Sequence, residues 1–172
     1  FGKLNKGKNK ALKIGLTAAI VTIGAAVMQV TNDFIEFDAA MAKVETIADR
    51  TTMSFQNQRR EMLKLSNALG VDVLELAEAQ YQAISAGVSD SADALKLVGV
   101  SSKAAIGGFT ETATAVDGLT TVLNAYDMEA EKAIKISDQM IATQNFGKTT
   151  FGALAQSMGD VIPIAAALEV GT

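Results

Sequence analysis

From Leu16 onward, apolar side chains fall at Leu16, Ile20, Ile23, Val27, Val30, Phe34, Phe37, Met41, Val44 and Ala48. The steps alternate between four and three, which is the a/d seam of a left-handed coiled coil. As a helix the run makes a rod about 50 Å long. Its halves differ. Ile14 to Val30 carries no charge, and its other positions are mostly Ala, Thr, Val and Gly, so it is apolar nearly all round. From Asp33 on, Glu36, Lys43, Glu45, Asp49 and Arg50 make the remaining faces polar. Two uses fit such a stripe: an outward contact with copies of the chain, a surrounding wall or lipid, or burial against the chain's own body. Its unbroken length favours self-association. Ile and Val upstream, with Phe34 and Phe37 downstream, depart from the dimer code of β-branched a and Leu d, and favour a trimer.

Beyond Arg50 the pattern breaks into shorter helices. Met53 to Leu69 reads as one, with Gly70 where a left-handed C′ residue belongs. Asp72 opens the next, with Glu75 at capping-box spacing. Leu76, Ala77, Tyr81 and Ile84 share a face, and Gly87 ends the helix. Ser89 or Asp90 caps a short helix ending near Gly99, and Gly107-Gly108 interrupts the piece after Lys103. Thr110 to about Tyr126 is helical. Asp127 caps another helix, with Glu129 and Glu131 in its first turn and Gly147 at its end. Thr149 or Thr150 starts the last, which meets Pro163. No segment reads as a convincing strand. The expected fold is all-α: a long N-terminal helix with a coiled-coil-type seam, then a multi-helix body of short helices joined by short connections. The expected divisions are a basic arm over 1–13, an apolar-to-amphipathic oligomerisation helix over 14–52 and a helical body over 53–172.

Composition mainly excludes. The 172 residues hold no His and no Cys. Disulfides, thiol catalysis, the usual zinc sites and His-based triads are therefore ruled out. Charge is uneven: Lys3, Lys6, Lys8, Lys10 and Lys13 precede the first acid, Asp33, so residues 1–32 carry +5 and the rest −9. No aromatic lies among those lysines, so the arm lacks base-reading chemistry and reads as a solubilising helix start. The uncharged run Ile14–Val30 is at the lower limit for crossing a bilayer core of about 30 Å.

Candidate chemistry is sparse. Gly147-Lys148-Thr149 ends like a phosphate-binding P-loop, but Ala142 stands where the motif needs glycine, and Ile134 to Ile141 reads as helix, not strand. Asp90 and Asp93 lack EF-hand spacing. Lys135 and Asp138 read as a surface ion pair. No catalytic, cofactor-binding or metal residue is assigned, and enzymatic activity is not expected.

Several segments in consistent order resemble one family. The run Phe37 to Val44 has the form F-x-x-A-M-x-x-V. Leu69-Gly70-Val71, Glu78-Ala79 and Ile84-Ser85-Ala86-Gly87-Val88 form a small-residue helix ending in AGV. Leu119 to Tyr126, Lys135 to Met140, Gly147 to Thr150, Leu154, Ser157-Met158-Gly159 and Val161-Ile162-Pro163 follow. Together these resemble the conserved helical region of phage tail tape measure proteins, also called phage minor tail proteins. The resemblance implies a helical virion protein that fills the lumen of the tail tube or lies at its tip, sets tail length and leaves ahead of the DNA on infection. It implies several copies per tail. It also implies contacts with tail tube, distal tail or tip hub proteins, and leaves three uses for 14–30: plugging the lumen, contacting a hub protein at the tip, or entering the host envelope membrane after release. A competing expectation is a membrane-active helical protein of pore-forming or translocator type, which would need lipid alone.

Overall fold

The computed structural model describes residues 33–49, 51–147 and 149–168. Contacts divide the chain into two units, Phe1–Asp38 and Ala39–Thr172. Of the first, residues 33–38 are described, and they are helical. The expected basic arm and the apolar part of the rod lie outside the described residues. The helices are α1 (33–47), α2 (Phe55–Leu69), α3 (Val73–Ser85), α4 (Ser91–Gly108), α5 (Thr112–Ala125), α6 (Ala133–Phe146) and α7 (Phe151–Ala167). A 3₁₀ turn, Ala130–Lys132, precedes α6. The all-α class is what the described residues adopt.

The first helix was expected to reach residue 52 and ends at 47. The cause is Asp49. Its N–H donates to the Ser89 carbonyl at 3.0 Å, and its own carbonyl accepts the Ser91 N–H at 3.3 Å and the Ser91 hydroxyl. Pairing with the segment before α4 draws this backbone out of the helix.

Caps explain most of the other ends. Ser54 accepts the Asn57 N–H, and Gly70 closes α2 at φ 68. Asp72 caps α3 through the Leu74 N–H at 2.7 Å. Glu75 does not complete a capping box. Its carboxylate instead accepts the Thr112 N–H at the start of α5, at 3.2 Å. Asp90 accepts the N–H groups of Ala92 and Asp93 at the start of α4.

Three helices close with the same 6→1 bond: Val88 N–H to Ala83, Thr110 N–H to Ala105 and Met128 N–H to Leu123. In each the preceding residue is left-handed: Gly87, Phe109 and Asp127. Asp127 therefore ends α5 and does not cap α6, as its acidic character had suggested.

The break expected at Gly99 is absent. Helix α4 runs eighteen residues through it. A Cβ there would lie 3.6 Å from a Leu65 methyl, so α2 packs against the bare backbone. Burial of Ala94, Leu97, Val98, Ala104 and Ala105 outweighs the helix penalty of glycine, about 1 kcal/mol. Tyr81, expected on the buried face of α3, is partly exposed, and Ala79, Gln80 and Ala83 are buried in its place. Lys135 and Asp138 do not pair. Ion pairs form at Lys64–Glu61 and Lys96–Asp93, both 2.7 Å, and at Lys96–Glu131, 3.6 Å.

Short connections make neighbouring helices antiparallel and alternate ones parallel. Glu75 meets Thr112 at one end of α3 and α5, and the Asn124 amide donates to the Ala86 carbonyl at the other. Gly118 of α5 likewise faces Ala155 of α7. Helices α4 and α5 are central. The first packs on α2, α3, α5, α6 and α7, the second on α3, α4, α6 and α7. Leu76, Leu97, Leu119, Leu123 and Phe151 are fully buried, each contributing about 1.5–3 kcal/mol of transfer free energy.

Candidate functional site

The seam read from the sequence divides in two. Leu16, Ile20, Ile23, Val27 and Val30 lie outside the described residues. Downstream, Phe34 is 58% exposed, Phe37, Met41 and Val44 are buried, and Ala48 is half-buried just past the helix end. Ala40 and Lys43 border a cleft with Ala77, Glu78, Tyr81 and Gln82, which sets this stretch beside α3. Met41 and Val44 are thus closed off within one copy of the chain and offer no side-chain surface to a second. That stretch behaves as a core helix, the other use of the stripe weighed above. Phe34 and the neighbouring Ile35 remain open.

A second surface lies at one pole of the bundle, which gathers the ends of α2, α4 and α6 and the starts of α3, α5 and α7. Phe109 is 94% exposed and Phe146 is 93% exposed. Both belong to this pole, because Gly108 abuts Phe151, Gly152 abuts Thr110, and the Gln144 side chain accepts the Phe151 N–H. Phe109 also sits at φ 51, a conformation that costs an L residue roughly 1–2 kcal/mol. Sequence reasoning did not single out these two rings. The available signal was an aromatic placed directly beside a helix-ending glycine, in Gly108-Phe109 and Phe146-Gly147.

The carboxylates converge at the opposite pole. Asp90, Asp93, Asp127 and Glu129 border a cleft of about 290 Å³ with Gly87 and Asn124. Asp90 is committed there to capping α4 and to the Thr52 hydroxyl. Its carboxyl is held below the ordinary 3.8, first by the Thr52 hydroxyl and then by the Asp93 N–H. Asp93 is taken by Lys96, whose own pKa is raised chiefly by that hydrogen bond. Among the described residues no group of three or more carboxylates is placed to hold a metal ion. The P-loop-like stretch is a joint between helices. Gly147 is extended at φ −111, and Thr150 caps α7 through the Ala153 N–H at 3.2 Å. The preceding element is helix α6, so the strand that a phosphate loop requires is missing.

Comparison with known proteins gives these surfaces a context. The family model described as phage-related minor tail protein matches residues 59–171. The probable tape measure protein of Clostridium phage phiCD119 is 31% identical over 164 residues, covering 94% of this chain and 17% of that protein. The tape measure protein of Pneumococcus phage Dp-1 is 26% identical over 167 residues, covering 96% of this chain and 14% of that protein. The chain therefore spans under a fifth of the length of either relative. No solved structure matches it.

Proposed function

The chain belongs to the phage-related minor tail protein family, and from that premise we propose that it is a structural segment of a phage tail tape measure protein. Its place is the virion, in the lumen of the tail tube or at its tip. It contributes to setting tail length and to genome delivery. The observation that carries this is the match to two tape measure proteins over nearly the whole chain. The bundle suits a role of filling and contact: at its acidic pole Asp90 is taken up in capping α4, and Asp93 and Glu131 pair with Lys96.

The partners are copies of itself, as a trimer, together with tail tube, distal tail or tip hub proteins. Self-association falls to Leu16 through Val30 and to the open Phe34, because Met41 and Val44 are closed off inside one copy. Among the described residues no helix is long and apolar enough to cross a membrane. Any entry into the host envelope belongs to 14–30.

Protease treatment of purified virions tests the placement. Peptides of this chain should be found by mass spectrometry in purified tails and should survive protease until the tails are opened. Digestion in intact virions would remove the lumen from the proposal. Absence from purified tails would remove the tail itself.

A further inference from the structure

We propose that α2 is a releasable arm: it leaves α3 and α4 as a unit, hinged at Gly70, while α3 to α7 stay folded. The inference does not rest on the tail assignment. Of fifteen residues in α2 only Gln58 and Met62 are buried, whereas α4 buries nine. Gln58 is fully buried, yet neither its amide nitrogen nor its amide oxygen meets a protein partner. Removing such groups from water without a partner is unfavourable, so undocking recovers part of what docking gains. The Gln80 oxygen is buried without a protein partner too, while its nitrogen donates to the Ser91 carbonyl at 3.4 Å.

The contact between α2 and α4 is also narrow, with Leu65 resting on Gly99 beside an open groove. A cleft of about 520 Å³ opens between them, bordered by Met53, Leu65 and Ala68 on one side and Ala92, Leu95 and Gly99 on the other. Several stabilising contacts of α2 travel with it. Arg59 lies 5.3 Å over the Phe55 ring, Lys64 pairs with Glu61, and Ser54 caps the first turn. The helix therefore keeps these when it lifts. At its C-terminal end Gly70 is left-handed, with nothing within 4 Å of a Cβ position, and the bond across this pivot that turning must give up is the one from the Ser66 hydroxyl to the Val71 carbonyl, at 2.7 Å. At the other end the Thr52 hydroxyl holds the Asp90 carboxylate. Release uncovers the α4 face that carries Leu95 and Gly99.

Amide hydrogen exchange on the native chain tests this, since local opening exposes amides ahead of global unfolding. Amides of α2 should exchange at least tenfold faster than those of α4 and α5. Gln58→Leu, which removes both unpaired groups, should slow α2 at least tenfold and leave α6 and α7 unchanged. Gln58→Met, with an unbranched side chain, serves if leucine does not fit. Equal protection of α2 and α4 in the parent chain overturns the proposal, whatever the variants do. So does a variant that leaves α2 unchanged or slows every helix alike.

Discussion

The carboxylate of Glu75, in the first turn of α3, accepts the backbone N–H of Thr112, the first residue of α5, at 3.2 Å. One helix thereby caps another. Glu111, at the N-cap position of α5, makes no side-chain cap bond of its own, so Glu75 satisfies an amide that α5 would otherwise leave orphaned. Glu75→Ala should lower unfolding stability by about 1 kcal/mol. Glu111→Ala should change it far less. Denaturant titration of both variants checks the contrast, and equal losses would contradict it.

The crossing of α5 and α7 leaves no room for growth. A Cβ on Gly118 would lie 2.6 Å from the Ala155 Cβ and 3.0 Å from its Cα, and that backbone atom cannot swing aside. Gly118→Val should cost about 1–3 kcal/mol by overpacking. Gly159→Ala in the same helix α7, where a Cβ meets nothing within 4 Å, should be neutral or slightly stabilising. Thermal unfolding of the pair distinguishes a local clash from a general sensitivity of these helices to substitution.

Acid should loosen the junction before α4. The Asp90 pKa is lowered from 3.8 by the Thr52 hydroxyl first, then by the Asp93 and Ala92 N–H groups and the Lys96 charge. A carboxyl with a lowered folded pKa contributes stability that is full above its unfolded value and is lost as pH falls through the folded one. Stability should therefore decline as pH drops below about 4. Asp90→Asn should be less stable at neutral pH and show a shallower acid decline. An unchanged acid limb would dissociate Asp90 from the effect.

Phe109 occupies a left-handed position that glycine fills without penalty, and its ring lies in solvent. Phe109→Gly should raise stability by about 1 kcal/mol. A loss of stability would mean that the ring contributes to the fold of the isolated chain.

One double change and one single change separate the halves of the apolar stripe. Ile23→Asp with Val27→Asp should abolish association in native mass measurements while helical circular dichroism and the thermal transition persist. Met41→Asp buries a charge in a fully closed position and should unfold the body, at a cost of several kcal/mol. An assembly that survives the first pair would overturn self-association through residues 16–30.

The sequence shows plainly where helices stop when the stop is chemical. Asp72, Asp90 and Thr150 are caps, and Gly70 and Gly87 are left-handed, as their residue types indicate, whereas the helix expected from Met53 starts at Phe55 behind a Ser54 cap. It misleads where tertiary packing decides. Gly99 reads as a break until Leu65 is seen resting on it. Asp127 reads as a cap until the Met128 N–H is found closing α5. Glu75 has capping-box spacing within its own helix, and only the approach of α5 redirects it. The seam shows the same limit. Spacing gives the stripe, but it cannot tell which stretch meets the chain's own helices, as Met41 and Val44 do. The exposed rings at 109 and 146 escaped notice because aromatics near glycines look like ordinary helix ends.

The approach of Gly118 to Ala155 also bears on how such chains can diverge. Both positions already hold the two smallest side chains, so drift there has one direction, towards bulk, and that direction is closed by contact with a backbone. Any descendant that keeps this crossing must either retain a tiny residue at each place or move the two helices apart. A lineage with a large residue at either position should therefore carry a wider gap there, filled by new side chains, and the substitutions should be found together.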